Sequence, residues 1–226
     1  MMLQLQLQNK LPIPGKTNLD WYLFDQMMSD YHNQPMLEVG VGRGGSAIAM
    51  SEHTNKLELI DSWDQTWPKK PVEDIFDKYE IPVKFIDGKS GSLDVLASIK
   101  SQYKFIHLDA NKSYEGTLDD LEKYNSFCDG VICVDDYLQS MWPEVTRATD
   151  DFVKNSEWNR ILIGNHQVFL SRKKQTPASR KITLKFPVVL RNDEVHLTYG
   201  KLPEDVDRFM EVTNKKMYTW HTTAWK

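Results

Sequence analysis

The sequence predicts an α/β fold, a three-layer sandwich around a seven-stranded, mostly parallel sheet closed by an antiparallel C-terminal hairpin. Three observations carry this. Short apolar runs alternate with stretches of helical periodicity from residue 18 to residue 170, a pattern that requires crossover connections between parallel strands. The first run ends in a glycine-rich turn, Gly40-Val41-Gly42-Arg43-Gly44-Gly45. The last two runs, 160–163 and 167–170, are joined by Gly164-Asn165-His166, a hairpin signal that would add an antiparallel edge strand.

The elements follow in order. An N-terminal arm and helix occupy 1–34: the arm alternates Leu and Gln, and 18–31 opens on a capping Asn with Leu19, Tyr22, Leu23 and Met27 at helical spacing. The core domain, 35–171, begins with strand 36–41 and a helix over 46–51. Strand 57–61 ends in Asp61, and a Trp- and Pro-rich loop leads to a helix over 73–79. Strands 83–86 and 104–109 enclose a helix over 93–100. The amphipathic segment 114–127 precedes strand 131–135, and a helix over 143–154 precedes the closing hairpin. The extension, 172–226, starts in a stretch with six basic and no acidic residues between 171 and 185. It reads as a solvated loop leaving the domain in preference to the alternative, a phosphate-binding patch. Beyond it, 185–190 and 194–199 flank Arg191-Asn192-Asp193 as a second hairpin. A short helix from Glu204 and an aromatic tail (Tyr218, Trp220, Trp225) follow. That tail packs either on the domain or on a partner subunit, so a homo-oligomer formed through the extension is one of two expectations.

Composition narrows the function classes. A formal net charge of -4 gives no general drive toward nucleic acid or an anionic membrane. No apolar run approaches the ~20 residues of a membrane span. The N-terminus lacks the charged and apolar regions of a secretion signal. Two cysteines, Cys128 and Cys133, fit neither a disulfide framework nor a metal-binding pair, and read as core thiols of a cytoplasmic protein.

The glycine-rich turn offers backbone that a ligand can approach closely, and the helix after it presents unpaired N–H groups. Gly40, Gly42 and Gly45 match a dinucleotide-binding pattern, which keeps a nicotinamide cofactor open. Glu38, inside the strand end, suits a cationic ligand better than a pyrophosphate. Asp61 lies 21 residues after Gly40, where an acid can take the ribose hydroxyls of any adenosyl ligand.

Asp109-Ala110-Asn111-Lys112 follows the fourth strand and Asp135-Asp136 the fifth. If those strands are parallel neighbours, three carboxylates converge outside their carboxyl ends, and a hard divalent cation such as Mg²⁺ would relieve their repulsion. Lys112 beside such an ion could lose its proton and act as a base toward a substrate hydroxyl; a salt bridge to Asp109 is the plainer alternative. His107, two residues before Asp109, falls on the same side of the pleat, one step deeper.

These residues resemble the class I S-adenosylmethionine-dependent methyltransferases. Leu37-Glu38-x-Gly40-x-x-x-Gly44-x-Ser46-Ala47 is similar to the cofactor motif of the metal-dependent O-methyltransferases of catechol and caffeoyl-coenzyme A. Asp109-x-x-Lys112 with Asp135-Asp136 is similar to their metal-and-base set, with Asp136 where Asn is usual. The stretch 108–116 and Trp142-Pro143 also resemble a bacterial and phage sugar O-methyltransferase-like group, in which Lys112 stands where His is common. The resemblance implies a Rossmann-like fold with S-adenosylmethionine as cofactor. It implies a methionine end held by Glu38, Gly40 and Ser46, with Gly42 and Gly44 also at the cofactor, a ribose held by Asp61, and an adenine bordered by Gly88 and Ser90. Lys112 would be the base, and Asp109, Asp135 and Asp136 the Mg²⁺ ligands. The expected substrate is a small hydroxylated molecule, sugar or phenolic, with no nucleic-acid or membrane partner. An NAD-dependent oxidoreductase and a non-catalytic scaffold are the competing expectations.

Overall fold

The computed structural model describes residues 18–64, 66–185, 188–191 and 194–197. Helix α1 (Asn18–Met28) places Leu23, Phe24, Met27 and Met28 on one buried face and tightens into a 3₁₀ turn, Ser29–Tyr31. Then come β1 (Met36–Val39), α2 (Gly45–Ser51), β2 (Leu57–Asp61), α3 (Lys69–Lys78), β3 (Val83–Asp87), α4 (Leu93–Ser98) and β4 (Tyr103–Leu108). These are followed by α5 (Tyr114–Tyr124), β5 (Cys128–Asp135), α6 (Pro143–Lys154), β6 (Asn159–Ile163), β7 (Gln167–Ser171) and α7 (Pro177–Lys185). A separate hairpin, β8 (Val188–Arg191) and β9 (Glu194–Leu197), matches the second expected hairpin.

Strand order in the main sheet is β3-β2-β1-β4-β5-β7-β6. Helices cover both faces, as an all-buried parallel sheet requires. Val72 and Phe76 of α3 and Ile182 of α7 join α1 and α2 over one face. Val95 of α4, Leu121 and Tyr124 of α5, and Val145 and Phe152 of α6 cover the other. This is the expected three-layer sandwich with seven strands.

The closing hairpin sits differently from the expected antiparallel edge. Strand β7 is the antiparallel one, but it lies inside, between β5 and β6. The crossover through α6 brings β6 in one strand-width beyond β5, and β7 turns back to fill the gap. Asp20 of α1 secures that turn, its buried carboxylate accepting from the backbone N–H of Asn165 (2.8 Å) and His166 (3.1 Å).

The basic stretch is also not the expected solvated loop. Its second half is α7, with Ala178, Ser179 and Ile182 buried. Thr176 and Ser179 close its first turn reciprocally: the Thr176 N–H donates to Ser179 Oγ at 2.7 Å and the Ser179 N–H to Thr176 Oγ1 at 3.2 Å. Nor is Arg172 available to a phosphate, because it donates to the Cys128 carbonyl at 2.6 Å and stacks on Trp158. Among the described residues, no helix is long and apolar enough to cross a membrane. The expected N-terminal arm, the helix from Glu204 and the aromatic tail lie outside the described residues.

Candidate functional site

The sheet changes direction of growth between β1 and β4, and in open α/β sheets ligands bind at that switch point, beyond the carboxyl ends of the strands. Gly40 ends β1 with φ +89°, and a Cβ there would lie 2.4 Å from the Ala110 amide nitrogen. Only glycine lets the first turn press against the loop that carries Asp109 and Lys112. Gly42 (φ +53°) faces open space, so a ligand can come up to its backbone. Gly44 (φ +78°) is the N-cap of α2.

A cavity of about 990 Å³ opens at this point. Gly40, Gly42, Ser46, Asp61, Gly88 and Ser90 bound one part of it. Asp109, Lys112 and Asp135 bound another. Residues from both sequence-predicted sets therefore share one hollow, which Asp136 does not line.

Their roles in the fold are more specific than the sequence suggested. The Asp61 carboxylate is already anchored, accepting from the N–H of Val41 (2.7 Å) and Gly42 (3.0 Å) with one oxygen and from that of Trp63 (3.0 Å) with the other. It ties the end of β2 to the glycine turn. Ser90 is fixed from two sides: Asn111 donates to its hydroxyl (3.2 Å) and the Tyr124 hydroxyl to its carbonyl (2.7 Å).

Glu38 and Gly44 stand behind the cavity wall rather than in it. Glu38 is fully buried. It accepts from the Ser46 hydroxyl, and its Oε1 lies 2.8 Å from His107 Nδ1. Glu38 can act on a ligand through the residues it holds, Ser46 and His107.

Lys112 bridges two carboxylates, Asp109 Oδ1 and, at 2.5 Å, Asp136 Oδ2. Burial alone would lower its affinity for a proton, but the charges of Asp109, Asp136 and Asp135 outweigh this and hold the amine above its ordinary value. The expected lowering belongs to Lys112 beside a cation; without an added positive charge, Lys112 is itself the counter-ion of the cluster. Asp136, with φ +59°, turns its carboxylate to Lys112. The trio whose ligand atoms converge, all within 4.8 Å of one another, is His107, Asp109 and Asp135, while Asp136 pairs with Lys112. That donor set fits a divalent cation.

The sequence reading passed over other cavity residues. Arg43 lies over the Trp67 ring, 4.7 Å from its centroid, and both line the cavity with Trp21 and Trp142. Only the neighbouring residues of the glycine motif could have flagged Arg43. Trp21 and Trp67 come from a helix and a loop with no motif of their own.

No family profile and no curated protein sequence matches the chain. Solved structures do. The O-methyltransferase NovP aligns with a TM-score of 0.58 at 20% identity, over 68% of this chain and 80% of its own. The methyltransferase PaMTH1 of Podospora anserina, solved with S-adenosylhomocysteine bound, aligns at 0.59 and 16% identity, over 76% and 87%. An rRNA methylase of Streptococcus thermophilus aligns at 0.53 and 13%, over 69% and 96%. The chain has a class I methyltransferase fold. Within that fold the glycine turn, Asp61 and Ser90 line the cavity at the switch point, and Asp109, Lys112 and Asp135 line it too.

Proposed function

We propose that the chain is an S-adenosylmethionine-dependent O-methyltransferase acting on a small hydroxylated acceptor, sugar or phenolic, with a divalent cation beside it. One observation carries this: a single cavity is lined both by Asp61 and the glycine turn, which suit an adenosyl ligand, and by Asp109, Lys112 and Asp135. Its volume is at the upper end of small-molecule sites, which run roughly 300–1,000 Å³, and leaves room for a nucleoside and a compact acceptor. Fold alone does not choose the acceptor, since an rRNA methylase shares it. The net charge of -4 disfavours a polyanion.

When bound, S-adenosylmethionine supplies a methyl group on a sulfonium that leaves with its electron pair. The chain positions and handles protons. Ser46 and the Gly40–Gly42 backbone would hold the methionine end, Asp61 would present its carboxylate to the ribose, and Gly88 and Ser90 would border the base. On the Asp109–Lys112 side of the same hollow, the acceptor hydroxyl that would receive the methyl group must give up its proton. Lys112 is the base of this reading. While Asp109 and Asp136 hold it as an ammonium it cannot accept that proton, so turnover requires part of their charge to be offset. A divalent cation on Asp109 and Asp135 would supply that offset and polarise the acceptor oxygen. Holding the two reactants in line in one hollow supplies much of the remaining acceleration.

The test is a screen of hydroxylated acceptors for S-adenosylhomocysteine release, with and without added divalent metal. Metal-stimulated release with a sugar or phenol is expected. Release confined to RNA, or none with any acceptor when S-adenosylhomocysteine binds, would contradict the acceptor class.

A further inference from the structure

The acidic cluster contains a nitrogen ligand that a magnesium site does not use. His107 offers a ring nitrogen, and Asp109 and Asp135 an oxygen each, with the three atoms within 4.8 Å of one another. Ligand atoms about 2.1 Å from one ion stand roughly 3.0–3.6 Å apart at angles of 90–120°, so the widest separation in the trio closes by up to about 1–2 Å, a side-chain adjustment, when the three share an ion. A second, independent feature points the same way. Glu38 Oε1 lies 2.8 Å from His107 Nδ1, both side chains being fully buried. A carboxylate that takes the Nδ1 proton of a histidine fixes the tautomer with its lone pair on Nε2 and raises its basicity. This is the orientation that metal-ligating histidines are given by their outer partners. The strand register enforces the arrangement: Glu38 pairs with His107 across β1 and β4, and Asp109 follows two residues later on the same side of the pleat. Phe24 packs against the imidazole with ring centroids 4.9 Å apart, so the ring is held in place from the α1 side.

We propose that His107, Asp109 and Asp135 form a transition-metal site, with Glu38 orienting His107, and that it takes Mn²⁺, Fe²⁺ or Co²⁺ in preference to Mg²⁺. Imidazole favours the borderline first-row ions, whereas Mg²⁺ favours a shell of oxygens and water. Asp136 keeps Lys112 when Asp109 turns to the ion, so the lysine stays beside the acceptor site with one carboxylate partner fewer. The same Glu38 carries Ser46 at the cofactor wall, which gives the metal and cofactor sites a shared buried residue. The proposal rests on the methyltransferase reading only in placing the ion next to the acceptor.

The experiment is equilibrium binding of Mn²⁺ and Mg²⁺ to the full chain, with pulsed electron paramagnetic resonance of the Mn²⁺ complex. Mn²⁺ is expected to bind on the order of 10-fold or more tightly than Mg²⁺. A nitrogen coupling in the spectrum should change when histidine carries the heavy nitrogen isotope. This measurement needs no substitution. His107→Gln should remove the coupling and weaken Mn²⁺ by on the order of 10–100-fold while moving Mg²⁺ little. Asp135→Asn should weaken both ions. Equal affinity for the two ions, no nitrogen coupling, or a coupling that survives His107→Gln would overturn the proposal. Each of those results would leave the methyltransferase reading standing, whereas failure to bind S-adenosylhomocysteine would sink that reading and leave the metal result untouched.

Discussion

Lys112 is where the residue-scale argument is most exposed. As a base it should contribute typically ~10²–10⁴-fold in rate, so Lys112→Met should cut turnover by that order. The affinity for S-adenosylhomocysteine should stay nearly unchanged, since Ser46, Asp61 and Ser90 come from other segments. Lys112→Arg should fail as well, because a guanidinium keeps its proton. Full activity in the Arg variant would mean that the side chain acts only as a charge between Asp109 and Asp136. A second prediction concerns Cys128. Burial pushes its thiol up to about 12 from an ordinary 9.0. The folded form thus stays protonated where the unfolded chain ionises. Its contribution to stability is complete below about pH 9 and declines as pH rises toward 12. With Cys133 also buried, native protein at pH 8 should resist alkylation at both thiols and react at both once denatured. Rapid native labelling would contradict that. Most site residues were legible because carboxylates, glycines and lysine at strand ends have few structural uses. The Lys112–Asp136 pair and the convergence of His107 with Asp109 and Asp135 were not legible, because sequence parity gives the side of a pleat but not which of two adjacent acids a lysine captures.

At the scale of elements, two contacts hold the site's parts together. Gly40→Ala forces a side chain into positive φ and against the Ala110 backbone. The conformational cost alone is about 1–3 kcal/mol, and the overlap adds to it. A melting temperature lower by roughly 5–10 °C is expected for a chain of this size, together with loss of cofactor binding. An unchanged melting curve would show that the turn and the Asp109 loop can separate freely. Asp20→Ala removes the acceptor for two backbone N–H groups in the turn between β6 and β7. Each buried donor left unsatisfied costs about 1–3 kcal/mol, so the urea midpoint should fall clearly, and Asp20→Asn should recover much of it. Element boundaries inside the sheet were readable from apolar runs. Helix α7 was not, because six basic residues masked its start signal, although Thr176-Pro177 is a cap followed by proline at the first helical position. The inside position of β7 was unreadable too, since a hairpin signal fixes pairing but not which strand faces the sheet.

For the whole molecule, alternation of strands and helices was enough to give the three layers and the seven strands, because helices of ten or so residues between short apolar runs leave few other ways to bury both faces of a sheet. That same topology puts the glycine turn and the acidic cluster at one switch point, and the central claim is that this point binds S-adenosylmethionine. Thermal unfolding of the full chain with S-adenosylhomocysteine or with NAD⁺ tests it most directly. At a concentration 100-fold above the dissociation constant a ligand stabilises by about 2.7 kcal/mol, or roughly 5–10 °C here. The account predicts a concentration-dependent rise of that size with S-adenosylhomocysteine and none with NAD⁺; stabilisation by NAD⁺ with no response to S-adenosylhomocysteine would contradict it.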